Sequence, residues 1–215
     1  MELLNHLLHQ GTLIINIILY KDTIFREKLK KIVKSVINIY RSISYKPMLS
    51  DVELYELKDK MRIQPTLKCI YKDHLKNHKF KPEEAYIINL ADEANPDNFG
   101  THYCLLYSAY NKQLPKKPLE YFWFDSYGAG NPTEVNAFTN QPKIPHSDKN
   151  IQGKFSNSCG FYCLAMLFYL TTFKNRLGML FCDAEMFLQL FDDTKEVVDT
   201  LHNEIMLKEF FKAMP

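Results

Sequence analysis

Near the start of the chain, apolar residues recur at the spacing of a helix face. In residues 26–40 they lie three or four positions apart, while lysines fill most of the positions between them. This pattern predicts an amphipathic helix with a basic face. We assign residues 1–45 to an N-terminal helical extension. A packed helix with solvated lysines is our preferred interpretation, and contact with a membrane or a nucleic acid is the alternative.

A new region begins at about residue 46, where the pattern changes. Pro47 disfavours a helical residue before it, and Ser50 with Glu53 has the spacing of a capping box. This predicts a short helix from Ser50 to about Met61. We assign residues 46–215 to one folded domain.

Three short apolar runs follow, at residues 85–90, 103–107 and 121–124. They are rich in aromatic and branched residues and are separated by turn-forming stretches, which predicts strands of one sheet. Residues 159–173 are almost all apolar and too many for one strand, so we predict a buried helix there. Residues 183–214 have the pattern of two amphipathic helices. This order of helices, strands and helices predicts an α+β fold.

The composition narrows the class of protein. The chain has 215 residues, of which 46% are apolar and 13% aromatic, so there is ample material for one core. The net charge of +2 is too small to indicate nucleic-acid binding by itself. Residues 1–20 are apolar but interrupted by polar side chains, and no basic segment or cleavage site frames them. We therefore expect no membrane span and no secretory signal.

The cysteines do not form a metal-binding or disulfide pattern. The chain has five of them, and none lies at the spacing typical of a zinc site. An odd number without such a pattern favours a reducing compartment. The sequence therefore predicts no metal site, no required cofactor and a protein that is not secreted.

Cys159 is the strongest candidate for a nucleophile. It lies where the polar stretch Ser156-Asn-Ser158 meets the start of the predicted buried helix, and helix N–H groups would favour its thiolate. Gly160 follows it and would leave space for a substrate backbone. A buried cysteine is more often a small core residue, so this position alone does not establish chemistry.

His102 and Asp125 are candidates for a base and its orienting carboxylate. His102 begins one predicted strand directly after a turn, and Asp125 ends the next. Neighbouring strands can present both side chains at one edge, where the carboxylate would fix the imidazole tautomer. Gln152 precedes Cys159 by seven residues, and its amide can reach the oxyanion that forms when a thiolate attacks a carbonyl. Together, the four residues predict a thiol protease.

Several segments resemble a known family of viral proteases. The family is that of the adenain-type cysteine proteases of adenoviruses, and the likeness is greater to members encoded by Polinton transposons and virophages. It covers about residues 48–170. The segments that carry it are Gly100-Thr-His-Tyr103, Trp123-Phe-Asp-Ser-Tyr-Gly128 and the block that runs from Ile151-Gln-Gly153 to Ser158-Cys-Gly-Phe-Tyr-Cys163.

The resemblance implies a triad of His102, Asp125 and Cys159, with Gln152 at the oxyanion hole. It also implies a fold related to papain by circular permutation, and the chain order agrees, since the cysteine comes last here and first in papain-like enzymes. The implied activity is an endopeptidase that processes viral or virophage capsid and other structural precursors near small residues such as glycine. It would act in the virion and the infected host cell.

Two alternatives share this fold. The wider superfamily includes proteases that remove ubiquitin-like modifiers after Gly-Gly, so a deconjugating protease is one alternative. A catalytically silent module that binds extended peptides is the other. The four intact candidate residues favour the enzymes over the silent module.

The sequence also departs from the family pattern. Tyr103 follows His102 where most relatives have tryptophan, so the clamp over the small residues of a substrate is expected to differ. Trp123, the only tryptophan, is a candidate to compensate. We expect Tyr103, Trp123 and Gly160 to contact the substrate. Residues 1–45 have no counterpart that we can place.

Activators are a further implication of the resemblance. The adenoviral enzyme uses DNA and a viral peptide, which makes a DNA or peptide activator a candidate here. Basic stretches at residues 28–34, 72–81 and 112–117 are candidates for weak contact with DNA phosphates, although solvated surface lysines are the interpretation that we favour. Cys163 lies one helical turn after Cys159, and we expect it in the core rather than in a disulfide.

Overall fold

The computed structural model describes residues 49–93, 102–111, 113–114, 116, 118–153, 156–172, 179–194 and 197–213. The extension predicted for residues 1–45 lies outside these described residues. Contacts group Tyr45–Lys208 into one compact unit, and the end of the chain from Glu209 falls in a second unit. The residues of the candidate site described below all lie in the first unit.

The described residues form four strands, one 3₁₀ helix and five α-helices. The strands are β1 (Leu67–Tyr71), β2 (Ala85–Asn89), β3 (Tyr103–Tyr110) and β4 (Leu119–Phe124). The 3₁₀ helix is Lys72–Asn77. The α-helices are α1 (Asp51–Lys60), α2 (Thr133–Thr139), α3 (Cys159–Thr172), α4 (Leu180–Leu188) and α5 (Val197–Ala213).

Helix α1 begins as its sequence predicts. The hydroxyl of Ser50 accepts from the Glu53 backbone N–H at 3.3 Å, and the Glu53 carboxylate accepts from the Ser50 backbone N–H at 2.9 Å. These reciprocal bonds satisfy two N–H groups that the first helical turn would otherwise leave unpaired. The predicted capping box is confirmed.

The four strands form one mixed sheet in the order β1-β2-β3-β4. Strands β1 and β2 are parallel, whereas β3 is antiparallel to both β2 and β4. A parallel pair requires a crossover connection, and the segment that contains the 3₁₀ helix supplies it. The three predicted strands are confirmed, and β3 and β4 are longer than predicted. The sequence pattern did not indicate β1.

Helices cover the two faces of the sheet. One face packs against the 3₁₀ helix and α2 through a cluster of buried residues, in which the strand residues alternate along their strands. Its members are Ile70, Tyr86, Ile88, Cys104, Leu106 and Trp123 of the strands, Leu75 of the 3₁₀ helix, Val135 of α2, and Ile144. Helix α3 packs against β2 and β3, and it also contacts α1 and α4. The chain therefore has an α+β fold in which helices pack a four-stranded mixed sheet, as the order of elements predicts.

Helix α3 is the central helix of this arrangement. All twelve residues from Cys159 to Leu170 are buried, which explains why the run is apolar almost throughout. The predicted buried helix is confirmed, and its first residue is Cys159. The two predicted C-terminal helices correspond to α4 and α5. Within the described residues, no helix is both long enough and apolar enough to cross a bilayer.

Candidate active site

His102 lies immediately before β3, at the edge of the sheet. Its backbone carbonyl accepts from the Leu90 N–H at 2.9 Å, which extends the pairing between β2 and β3 by one bond. Its side chain is 17% exposed. The backbone is therefore fixed by the sheet, while the imidazole keeps limited access to solvent.

Asp125 lies immediately after β4, beside His102. Register pairs Leu105 of β3 with Phe124 of β4, so the residues just before β3 and just after β4 meet at the same edge. The distance from His102 Nε2 to Asp125 Oδ1 is 2.7 Å. An ionised carboxylate can only accept, so Nε2 carries the proton. Nδ1 is then the ring nitrogen that can hydrogen-bond to a second group or exchange a proton with it.

Asp125 is held by a backbone donor and lies beside a buried thiol. The backbone N–H of Tyr127 donates to Oδ1 at 2.7 Å, and the Sγ atom of Cys104 lies within 4.8 Å of the carboxylate. Burial raises the pKa of Cys104 well above its ordinary value, and the neighbouring Asp125 charge adds to the effect. The Cys104 thiol therefore stays protonated beside a carboxylate that is only 4% exposed.

Cys159 approaches the same imidazole from the first turn of α3. The residue is 3% exposed, and its side chain is close enough to His102 to raise the pKa of the imidazole. The backbone N–H groups of a first helical turn have no partners within the helix and favour negative charge there. The structure thus brings His102, Asp125 and Cys159 together, in the order carboxylate, imidazole, thiol.

Opposing influences act on the pKa of His102. Burial is the largest and would lower the pKa, but the hydrogen bond with Asp125, the charge of Asp125 and the nearby Cys159 side chain raise it to about 9. An imidazole with this pKa is protonated at neutral pH. A positively charged ring beside a cysteine favours a thiolate, the form in which a cysteine is nucleophilic.

Tyr127 covers one face of the His102 ring. The two ring centroids are 4.5 Å apart, with an angle of 32° between the planes. Burial raises the pKa of the Tyr127 hydroxyl, and the nearby charges of Cys159 and Asp125 act in the same direction. Tyr127 is therefore a neutral aromatic wall that limits rotation of the imidazole.

Gln152 is buried in the loop that leads to Cys159. The Ser126 hydroxyl donates to its Oε1 at 2.6 Å, and its Nε2 donates to the Ser156 carbonyl at 2.6 Å. A carbonyl only accepts, so this bond fixes which end of the amide faces Ser156. The second Nε2 hydrogen points toward the Tyr127 hydroxyl, at the longer distance of 3.4 Å. One N–H of Gln152 thus faces the ring that covers His102.

The side chains of His102, Cys104 and Asp125 are close enough together to be considered as a metal site, since their ligand atoms lie within 4.8 Å of one another. Two observations favour a hydrogen-bonded group instead. The 2.7 Å contact between His102 and Asp125 has the length of a charge-assisted hydrogen bond. Burial keeps the Cys104 thiol protonated, whereas a metal ligand must be a thiolate.

The structure corrects two predicted substrate contacts. Trp123 is 0% exposed, and its indole Nε1 donates to the Ala129 carbonyl at 3.1 Å. Tyr103 is 5% exposed, and its hydroxyl donates to Asp51 Oδ1 at 2.8 Å. Both side chains make hydrogen bonds inside the fold, because side chains alternate between the two covered faces of a strand and these two point inward. They are core residues here, not a clamp over a substrate.

Gly160 has a packing role in this structure. A Cβ atom at this position would lie 3.2 Å from Leu54 Cδ2 and 3.5 Å from Leu49 Cβ. The space beside its Cα is thus occupied by α1 and the residues before it, rather than left open for a substrate backbone. Cys163 is completely buried, as predicted.

Three residues that the sequence did not single out contribute to this site. Ser126 and Tyr127 belong to the segment Asp125-Ser-Tyr-Gly128, so their closeness to Asp125 was the available signal. Glu204 of α5 accepts from the hydroxyls of Ser156 and Ser158. Nothing in the sequence near Glu204 indicates this contact.

No model of a known protein family matches the chain, and the search of curated proteins gives no match either.

Proposed function

We propose that this chain is a cysteine endopeptidase in which Cys159 is the nucleophile. The observation that carries the proposal is that Asp125, His102 and Cys159 lie together. The 2.7 Å bond between His102 and Asp125 leaves the other ring nitrogen for the thiol, and Cys159 is close enough to raise the pKa of the imidazole. A nucleophile, a base and a group that orients the base form the arrangement that acyl transfer requires.

The reaction follows from these positions. The Cys159 thiolate attacks the carbonyl carbon of a peptide bond, and a C–S bond forms as the carbonyl oxygen becomes an oxyanion. The tetrahedral intermediate collapses, the C–N bond breaks, and the His102 imidazolium gives its proton to the leaving amine. Water then attacks the thioester while His102 takes its proton, which releases the carboxylic acid and restores the thiol.

Gln152 and the start of α3 supply the donors for the oxyanion. One Nε2 hydrogen of Gln152 is held by Ser156 and the other faces Tyr127 at 3.4 Å, a distance too long for a strong bond. This second hydrogen is available to a developing oxyanion, together with the backbone N–H of Cys159. Removal of one such donor lowers the rate of acyl transfer by about 10²–10³-fold.

The fold that best accounts for these features is a circularly permuted papain-like fold, similar to that of adenain-type proteases. The mixed sheet, the buried helix that starts at the cysteine and the chain order His102, Asp125, Gln152, Cys159 all support it. By the same resemblance, we propose that the substrates are viral or virophage structural precursor proteins cut near small residues. No contact in the described residues favours a ubiquitin-like modifier over such precursors.

An activated ester tests the chemistry without knowledge of the cleavage sequence. The p-nitrophenyl ester of N-acetylglycylglycine should acylate Cys159 and release one equivalent of nitrophenolate in a burst. Mass spectrometry of the quenched protein should locate the acyl group on Cys159. The Cys159→Ala variant should give no burst, whereas Cys182→Ala, which changes a half-buried thiol of α4, should behave as the wild type.

A wild-type chain that gives no burst, or an acyl group that lies on another cysteine, would contradict the proposal and favour a module that only binds peptides. A burst followed by turnover would support the enzyme. The ester alone does not separate the two protease classes. Incubation with a modifier that ends in Gly-Gly and is fused to a second protein would do so, because only a deconjugating protease should release that second protein.

A further inference from the structure

Glu204 of α5 joins the C-terminal helix to the loop that precedes Cys159. The Ser156 hydroxyl donates to Glu204 Oε1 at 2.6 Å, and the Ser158 hydroxyl donates to Oε2 at 2.7 Å. Each carboxylate oxygen thus accepts from a different serine, 48 and 46 residues away in the chain. Charge-assisted bonds of this length are about twice as strong as neutral ones.

The bond to Ser156 controls the position of Gln152. The carbonyl of Ser156 accepts from Gln152 Nε2 at 2.6 Å, and its backbone N–H donates to the Gly153 carbonyl at 2.9 Å. Glu204 holds Ser156 through the hydroxyl of Ser156. A displacement of Ser156 would therefore move the carbonyl that aims the amide of Gln152.

The bond to Ser158 holds the backbone that leads into Cys159 and thus the position of the Cys159 N–H. Ser158 directly precedes Cys159, and its carbonyl accepts the first hydrogen bond of α3 from Tyr162 N–H at 3.0 Å. Its backbone N–H also donates to the Ser156 hydroxyl at 3.2 Å. The two serines and Glu204 thus form a closed set of hydrogen bonds around the entry to α3.

Helix α5 is itself anchored beside Glu204. Asn203 is 0% exposed, and its Nδ2 donates to the carbonyls of Ile151 at 3.0 Å and Asp192 at 2.7 Å. Its Oδ1 accepts from the Asp192 N–H at 2.8 Å. Asn203, the residue before Glu204 on α5, is thus bonded to Ile151, which directly precedes Gln152. This bond fixes the helix beside the loop that Glu204 contacts.

We propose that Glu204 is a positioning residue for the oxyanion site. It fixes at once the amide of Gln152, through Ser156, and the backbone N–H of Cys159, through Ser158. This inference rests on the proposed function. Glu204 acts through the hydroxyls of Ser156 and Ser158, so its effect is on the placement of the donors that meet the oxyanion.

The nitrophenyl ester and iodoacetamide together test this role. Acylation by the ester passes through an oxyanion, whereas alkylation by iodoacetamide is a direct displacement that forms none. Glu204→Ala should lower the acylation rate by about 10–100-fold with little change in KM, because only donor placement is lost. The rate of Cys159 alkylation should stay within about twofold of the wild type, since His102 and Asp125 are untouched.

Two variants make the test specific. Glu204→Gln keeps the shape of the side chain and can accept from one serine while it donates to the other, so it should recover most of the acylation rate. Glu209→Ala removes a carboxylate from the same helix, where Glu209 pairs with Lys212 at 2.7 Å. This control should match the wild type in both reactions.

The outcomes separate the inference from the proposed function. Acylation at the wild-type rate in Glu204→Ala would overturn the inference and leave the protease intact. An equal fall in acylation and alkylation would also overturn it, because it would indicate a general loosening of the fold. A wild-type chain with no acyl adduct on Cys159 would overturn the proposed function, and the inference with it.

Discussion

Burial and hydrogen bonding shift the pKa of the His102 imidazole in opposite directions. Burial disfavours the charged ring, but Asp125 and Cys159 reverse this and raise the pKa to about 9. Nearby thiols respond differently, since burial raises the pKa of Cys104 and Cys163 well above the ordinary value and keeps both protonated. Of these three cysteines, Cys159 is the one whose side chain raises the pKa of the imidazole, and this closeness to His102 is what sets it apart chemically.

The raised pKa predicts how stability depends on pH. The pKa of His102 is about 9 in the folded chain, against an ordinary value of 6.5. The folded state therefore binds this proton more tightly, and the stabilisation is complete below about pH 6.5 and is lost as the pH rises to about 9. Urea unfolding of the wild type and of His102→Gln should show a stability difference that shrinks across this range. A difference that is constant or grows with pH would contradict the raised pKa.

Loss of the Asp125 charge should lower both the pKa of His102 and the rate. Asp125→Asn keeps the shape of the side chain but removes the negative charge that favours a proton on Nε2, and it can present an NH2 donor to the ring in place of an acceptor oxygen. We expect an NMR titration of His102 to move to lower pH, and ester acylation to fall by about 10³–10⁴-fold. Asp148→Asn is a matched control, because exposed Asp148 pairs with His146 at 3.2 Å outside the site. An unchanged rate in Asp125→Asn would remove Asp125 from the mechanism.

Among the elements, the turn after β4 joins the two halves of the site. The Ser126 carbonyl accepts from the N–H groups of Ile151 and Gln152 at 2.9 and 3.0 Å, so the turn that carries Asp125 is bonded to the loop that carries Gln152. Gly128 permits this approach. Its φ is +75°, and a Cβ there would lie 2.4 Å from the backbone oxygen of Asp148.

A side chain at Gly128 should therefore disrupt the site. Gly128→Ala would force an alanine into the left-handed conformation, and its Cβ would clash with the backbone of Asp148. The two effects together should lower the free energy of unfolding by about 2 kcal/mol or more. Gly130→Ala is the matched control, because a Cβ there meets only the His146 side chain, at 3.3 Å. Chemical denaturation of both variants would measure the effect, and equal stabilities would refute the close approach.

Local signals explain which elements the sequence could predict. The capping box at Ser50 and the apolar runs of β2, β3 and β4 can each be recognised from a few consecutive residues. Strand β1 cannot be recognised in this way, because it lies at the edge of the sheet and only Leu67 and Ile70 of its five residues are buried. Helix α2 is short, and Pro132 at its start has no side-chain oxygen to serve as a cap.

Across the whole molecule, the site is assembled from parts that are far apart in the chain. His102 and Asp125 could be predicted together because adjacent strands place them at one edge. The contact of Glu204 with Ser156 and Ser158 could not, since it depends on how α5 packs rather than on any local pattern. The burial of Trp123 and Tyr103 has the same origin, because the direction of a strand side chain is decided by what covers each face.

In the proposed mechanism His102 activates Cys159, and the rate of alkylation is the most direct test of this activation. Limiting iodoacetamide at pH 7, with mass spectrometry of each cysteine, should label Cys159 first, with the half-buried Cys182 as an internal reference. His102→Ala should slow labelling of Cys159 by at least about tenfold and leave Cys182 unchanged, because only the thiolate is nucleophilic. Labelling of Cys159 at the same rate in both proteins, or no faster than Cys182 in the wild type, would contradict the claim.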